Sequence, residues 1–400
     1  MDEPSLQLYQ ELRQNIHEAL ATTKRPVLTH LNEDSSWLLQ IPRPENAVRR
    51  GTRFYYNILV DPWLKGGQSD VASWFSQQFH ATPSAVQTIA ELEDLIRDVE
   101  ALAMGAHREP AKDSEELGNG HGDTLIDAVA ISHEFTDHCH KETLVELHRN
   151  VPVFAAKEAA KVIDGFKHFR TVIALDVFGT DGMTDWRATS MPPLPEWIGI
   201  SRLLSTNDAL NYHSAILITW NNRHNTGKTR VTSVSNNLRS NGSRARRHAT
   251  IEPDEDEERA EAVIYTPHGV NSGDLKIIPE ASPAISTLVF LHGLHNVRLA
   301  SIGRTALQLN LGVYNGLKAQ RVLKAKYWVG THDEVKEGRG LVGFFIKREV
   351  KTIKEALELE REQRQKGEHV VANSERDAVL ESFDDTKWLD LRNGESRVLV

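Results

Sequence analysis

The four apolar residues Ala128–Ile131 run directly into Ser132-His133-Glu134-Phe135-Thr136-Asp137-His138-Cys139-His140, and this junction constrains the fold more than any other stretch of the chain. A short run of alanine and β-branched residues reads as a buried strand. The polar loop that follows gathers three histidines, an aspartate and a cysteine within a few residues. Neutral imidazole and carboxylate are ligands that zinc, manganese and iron accept, and a loop can converge side chains that a straight strand would alternate. His133, Asp137 and His138 are the candidates. The same residues also read as a polar loop in which Thr136 or Asp137 caps a helix over Lys141 to Leu147. The residues alone leave both readings open.

Similar apolar runs recur along the chain with helical stretches between them. Val27–Leu31, Ser36–Ile41 and Phe54–Val60 read as strands, the last ending at Asp61-Pro62-Trp63, where proline interrupts sheet pairing and leaves Asp61 at a strand end. Ser84–Ala103 reads as a helix, because Ile89, Leu92, Ile96 and Val99 fall on one stripe. Val151–Phe154 and Thr171–Leu175 are strand candidates around a helix through Glu158 and Ile163. Trp197–Leu204 and Ser214–Trp220 form a strand pair with His213 at the entrance of the second. Ala262–Thr266, Thr287–Leu291, Tyr327–Gly330 and Gly343–Lys347 follow as strands, and Arg304–Leu323 as a long helix. Strands alternating with helices indicate an α/β fold.

The ends and insertions read differently. Pro4–Leu20 has Leu8, Leu12, Ile16 and Leu20 on one face of an opening helix. Residues 105–122 are Gly-rich and charged. From 221 to 261 the apolar pattern collapses into a basic half, Arg223 to Arg247, followed by an acidic run, Glu252 to Glu261. Blocks of opposite charge attract each other first, so this insertion reads as a solvated loop rather than a nucleic-acid arm. The expected organisation is an N-terminal helix over 1–24, a domain over 25–350 with insertions near 105–122 and 221–261, and a C-terminal helix and tail over 351–400. Trp388 and Leu391 of that tail are placed to dock on the body.

A formal net charge of -9 argues against a chain built to coat nucleic acid or an anionic membrane. Cys139 is the single cysteine, so no disulfide forms within the chain and a reducing compartment is its simplest home. The acidic start MDEPSLQLYQ lacks an apolar signal core, and no run reaches the roughly 18 to 20 apolar residues of a membrane span. The expectation is a cytoplasmic protein whose partner is a small-molecule substrate, with its oligomeric state left open.

Histidines recur where strands begin or end: His133, His213, His268 and His332, besides the pair His292 and His295. Strand ends on one edge of a layered sheet lie close in space, so residues distant in sequence can share a metal. The order of these motifs resembles that of the metallo-β-lactamase-fold hydrolases, and within them is most similar to the branch that includes sugar-phosphate lactonases. Leu59-Val60-Asp61-Pro62-Trp63 resembles the early strand-end aspartate of that superfamily, and His133-Glu134-Phe135-Thr136-Asp137-His138 its HxHxDH motif. His213 matches the later histidine and His332 the final one. Phe135 stands where the second motif histidine belongs, and His268 near the place of the metal-bridging aspartate.

The resemblance implies an αββα four-layer sandwich of two mixed β-sheets flanked by helices, with the site on one edge. It also implies a divalent metal, zinc first with manganese or iron as alternatives, in one or two ions. Its ligands would come from His133, Asp137, His138, His213, His268 and His332, and Asp137 would also take a proton from the attacking water. Asp61, Glu134 and Asp333 are candidate acceptors for the histidines' other ring nitrogens. Because phenylalanine cannot bind an ion, one tight site is expected, with a second weaker or absent. The implied activity is hydrolysis of a small ester, lactone, amide or phosphate ester. The alternative is a non-catalytic protein of the same fold that binds a ligand at a degenerate metal site. A nuclease using the arginines of 223–247 is a third reading, opposed by the charge balance.

Overall fold

The computed structural model describes residues 16–17, 24–44, 53–70, 74–107, 124–206, 208, 211–222, 258–301, 304–339, 345–358 and 387–400. Only Ile16 and His17 of the expected opening helix fall within that set, and most of the two expected insertions lies outside it. Along the chain come β1 (Val27–His30), β2 (Trp37–Pro42), β3 (Tyr55–Val60), β4 (Gln77–Phe79), α1 (Ile89–His107), β5 (Ala128–Ile131), α2 (Lys141–Leu144), β6 (Val153–Ala155), α3 (Lys157–Gly165) and β7 (Val172–Ala174). The second half holds β8 (Ile198–Leu204), β9 (Ser214–Trp220), β10 (Ala260–Thr266), β11 (Ile285–His292), β12 (Asn296–Ser301), β13 (Arg304–Leu311), α4 (Gly312–Leu323), β14 (Tyr327–Val329), β15 (Glu337–Arg339), β16 (Ile346–Glu349), β17 (Lys387–Leu389) and β18 (Ser396–Val398).

Two mixed sheets carry the architecture, one of seven strands in the order β18-β1-β2-β3-β5-β6-β7 and one of six in the order β17-β14-β11-β10-β9-β8. Period-2 alternation decides which layer each side chain enters. In β3 and β5, Ile58, Val60, Ala128 and Ala130 face Ile216, Ile218, Val263 and Val289 of the other sheet. Their neighbours Leu59, Val129 and Ile131 turn outward onto Leu92 and Ile96 of α1. Across the molecule, Ile264, Phe290 and Trp328 turn outward onto Val313 and Leu317 of α4. Helix, sheet, sheet, helix is the αββα sandwich expected from the motif order.

The expected helix over Arg304–Leu323 is half strand. Leu307, Leu309 and Leu311 alternate with Ala306, Gln308 and Asn310, a period of two that makes β13, and only Gly312–Leu323 is helical. Gly312 makes the junction at φ +69, and a Cβ there would lie 2.8 Å from the Asn296 backbone nitrogen. The C-terminal residues join both sheets: β17 pairs in parallel with β14, and β18 pairs antiparallel with β1. Trp388 packs edge-on against Trp328 at 5.5 Å.

His30, at the end of β1, shows how this packing couples to pH. Its ring stacks on Trp37 at 3.8 Å and its Nδ1 meets the Leu391 carbonyl at 2.7 Å. Burial pushes its pKa from 6.5 down to about 4. A folded pKa below the unfolded one gives stability that is present above pH 6.5 and lost as the pH falls toward 4. We expect about 3 kcal/mol of that loss to come from this one ring. His30→Gln, which keeps an amide for the carbonyl but takes up no proton, should flatten the slope in urea titrations across that range. Equal slopes for variant and parent would remove His30 from the account.

Candidate metal centre

The parallel strands of both sheets end on one edge of the sandwich, where open α/β sheets collect ligands. β3 ends at Asp61, β5 at Ser132 and His133, β10 just before His268 and β14 just before His332. Asp61 (φ 41) and His332 (φ 58) sit in the left-handed region, which costs a non-glycine residue on the order of 1–3 kcal/mol. Local hydrogen bonds hold both there. The Asp61 N–H donates to the Ala130 carbonyl at 3.1 Å, and the His332 N–H to the Asp34 carbonyl at 2.7 Å.

Three imidazoles are fixed by what their Nδ1 atoms touch. His138 Nδ1 lies 2.8 Å from Asp61 Oδ2, His268 Nδ1 2.9 Å from Asn310 Oδ1, and His332 Nδ1 3.1 Å from the Asp34 carboxylate. Each partner is an acceptor, so each Nδ1 carries the proton and each Nε2 is left with a lone pair. Those of His138 and His268 converge. The rings of His138, His268 and His332 form a near-equilateral triangle with centroids 4.9–5.0 Å apart, and His138 Nε2 lies 3.2 Å from His268 Nε2. Two lone pairs at that distance repel unless a cation, a proton on the His138 ring or a metal ion, lies between them. The separation suits two nitrogens on one tetrahedral ion, which at about 2.0–2.1 Å bond lengths are about 3.3 Å apart.

Asp61 is the anchor of this arrangement. Its carboxylate also accepts from the Ser132 N–H at 2.7 Å, from the Ser132 hydroxyl and from the Tyr265 hydroxyl at 2.8 Å. It therefore orients His138 from behind, the part played by carboxylates that support metal-binding histidines. Burial acts to lower the His138 pKa, but the Asp137 and Asp61 carboxylates outweigh it and raise the ring above 6.5. His268 is driven well below 6.5 by burial and by the neighbouring His332 and His138 rings.

The donor atoms divide into two overlapping sets. Asp137, His138 and His332 bring donor atoms within 4.8 Å of one another, as do His133, His138 and His268. The two sets share His138, whose Nδ1 is taken by Asp61, so His138 serves one ion only. Asp137 has a further partner that the sequence did not announce. The Lys336 ammonium lies 2.8 Å from both Asp137 Oδ2 and Asp34 Oδ2, and all three side chains are buried. Burial would raise the Asp137 carboxyl, yet Lys336 holds it well below the usual carboxylate range. Asp34 is held down likewise by His332 and Lys336 against its own burial.

Other sequence candidates stand apart. His133 is in the cluster by distance, but its Nε2 meets the Tyr212 carbonyl at 2.9 Å and its Nδ1 the Ser132 hydroxyl at 2.9 Å. His213, expected as a ligand, is not brought to the cluster: Asp208 accepts from its backbone N–H at 2.6 Å and lies 3.3 Å from its Nδ1, which turns the ring elsewhere. Of the three candidate supporting carboxylates only Asp61 acts as one. Asp333 accepts instead from the N–H groups of Leu294 and His295, and no hydrogen bond joins Glu134 to a histidine among the described residues. The helix cap is His140, not Thr136 or Asp137; the Thr136 hydroxyl bonds Gln68. Cys139 is core, its thiol pushed up to about 12 by burial. Phe135 packs edge-on to Tyr212 at 5.1 Å and lies 6.1 Å from the His268 ring.

The cluster forms the floor of a cleft of about 300 Å³ that Asp137, His268, His332 and Lys336 line from below. Donors, carboxylate and an open side facing solvent together suit a centre for one divalent ion at His138, with His268 on one side of it and Asp137 and His332 on the other. No family model matches this chain, and no curated protein matches it. Among solved structures it is similar to a metallo hydrolase from Ignicoccus hospitalis (12% identity, 93% of this chain and 97% of that one, TM-score 0.43). It is also similar to a possible metal-dependent hydrolase from Veillonella parvula (10%, 94% and 100%, TM-score 0.45) and to the metallo-beta-lactamase fold protein YhfI from Bacillus subtilis (11%, 93% and 99%, TM-score 0.37). At such identities and scores none of them assigns anything to this chain, whose layers and histidine cluster stand on their own geometry. Among the described residues no helix is long and apolar enough to cross a membrane.

Proposed function

We propose that the protein is a metal-dependent hydrolase of the metallo-β-lactamase type, acting on a small ester, lactone, amide or phosphate ester, with one divalent ion at His138 and its further ligands drawn from His268, Asp137 and His332. The assignment to the lactonase-like branch is part of the proposal and rests on motif order alone. The observation that carries the reading is the 3.2 Å approach of the His138 and His268 Nε2 atoms, each ring's other nitrogen being tied to an acceptor. A divalent ion would supply Lewis-acid polarisation and a more acidic water there, with zinc the first candidate for an imidazole-rich set. The chain supplies the rest. Asp137, kept ionised by Lys336, accepts a hydrogen bond from the attacking water and receives its proton. Asp61, Asn310 and Asp34 keep the three rings from rotating.

Lys336 also favours a second reading. An ammonium already bound to Asp137 neutralises a carboxylate that a metal would otherwise use, as expected of a non-catalytic relative with a degenerate site. Metal analysis of protein purified without chelator, followed by a panel of esters, lactones, amides and phosphodiesters, separates the two. Metal-dependent turnover that is lost on chelation and returns with the ion supports the hydrolase. Tightly bound metal with no turnover on any class, or folded protein that takes up no metal, would sink the hydrolase and favour the binding protein.

A further inference from the structure

The cleft above the cluster has an apolar wall built by a separate sheet. β12, β13 and β16 form a three-stranded antiparallel sheet outside the sandwich. Leu299 is paired with Leu307 on one side and with Ile346 on the other, so all three project from the same face, with Val297 and Leu309 one period away. These residues line the cleft. The opposite face is polar, where Arg298 bonds Gln308 at 3.1 Å. A sheet with one apolar face must cover it with something, yet Leu307 remains 38% exposed. Across the cleft, Phe135 presents an aromatic ring where the motif would have a ligand. The chain has thus exchanged a ligand position for apolar surface.

The polar side of the cleft does not suit a phosphorylated substrate. The Lys336 charge is taken by Asp34 and Asp137, and Arg348 is bonded to His295 Nδ1 at 2.8 Å. Asp70 adds a further carboxylate to the lining. A phosphate would meet three carboxylates here, Asp70, Asp137 and Glu334, and among the described lining residues the two cations, Lys336 and Arg348, already have partners. From the continuity of this apolar wall with the histidine floor we infer that the substrate is an ester or lactone of an apolar, medium-chain carboxylic acid. Its chain lies along Leu299, Leu307, Leu309 and Ile346, and its carbonyl reaches the floor. This inference rests on the hydrolase reading. Hydrolysis would break the acyl C–O bond, form a new one from water, and deliver the water's proton to the departing alkoxide.

The test uses the full chain loaded with zinc, with p-nitrophenyl acetate, butyrate and octanoate, and bis(p-nitrophenyl) phosphate, as probes. Calorimetry with octanoate and acetate gives a reading that does not need turnover. We expect kcat/KM to rise by about two- to fourfold per added methylene and octanoate to bind at least about tenfold tighter than acetate. Leu307→Asp, at a half-exposed position that tolerates a polar side chain, should reduce the octanoate-to-acetate ratio in both measurements, with unchanged circular dichroism showing that it folds. Octanoate binding that needs Leu307 in a protein inactive on every ester would support the apolar wall while removing the hydrolase reading. A flat chain-length profile with equal binding of the two acids, or a preference for the phosphodiester, would overturn the inference and leave the hydrolase reading in place.

Discussion

Lys336→Met is expected to lower the stability of the metal-free protein by about 3–5 kcal/mol, the usual consequence of removing one member of a buried ionic group. The parent holds one ammonium between Asp34 and Asp137, both shielded from solvent. Methionine fills much of the same space but leaves two carboxylates beside each other without a counter-charge. The sign of the pH dependence follows. In the parent both carboxyls are held well below their ordinary range, so the stability they contribute is present above about pH 4 and lost as the pH falls below it. In the variant, protonation relieves the repulsion, so the gap between the two proteins should narrow in acid. A divalent ion should narrow it at neutral pH as well, because Asp34, Asp137 and His332 then face a vacant cation position. Urea titrations with and without zinc measure both effects. A loss under about 1 kcal/mol, unchanged by acid or by zinc, would show that the bridge is incidental.

The layers were legible because burial on both faces leaves an unambiguous pattern. Ala128–Ile131, Ser214–Trp220 and Tyr327–Gly330 read as strands from their apolar runs, and strands form over Ala128–Ile131, Ser214–Trp220 and Tyr327–Val329. Arg304–Leu311 failed for a physical reason: leucines at every second position in β13 pass into leucine and valine at helical spacing in α4, and one glycine separates the two periods. The strands β17 and β18 are only three residues long, Lys-Trp-Leu and Ser-Arg-Val, and exist by adding to existing sheet edges, which no local pattern reveals. At the site, the histidines that follow parallel strands came together as their order suggested. His213 did not, because a ligand in a turn is oriented by its nearest hydrogen-bond partner, here Asp208. Lys336 and Asp34 were invisible for the opposite reason. A lysine four residues after a histidine is ordinarily a solvated side chain, and only the packing of Trp63, 5.3 Å from its ammonium, encloses it.

One zinc per chain is expected to bind, and His268→Ala is expected to weaken that binding by about a hundredfold or more, whereas His213→Ala should leave stoichiometry and affinity where they are. The contrast follows from geometry. His268 Nε2 lies 3.2 Å from His138 Nε2 with its lone pair turned inward, and His213 is anchored to Asp208 outside the cluster. The same geometry decides what Phe135→His would do. A second three-histidine site would need His133 and His213 beside the new ring, but His133 Nε2 is on the Tyr212 carbonyl and His213 is elsewhere. The substitution should therefore add no second equivalent of metal, and it removes an aromatic ring from the cleft wall. Titration of chelator-treated protein with zinc, read by calorimetry and by elemental analysis after desalting, counts the ions directly. Loss of the ion in His213→Ala with retention in His268→Ala would reverse the ligand assignment, and a second tight equivalent in Phe135→His would mean that the motif's first position had been emptied by that phenylalanine alone.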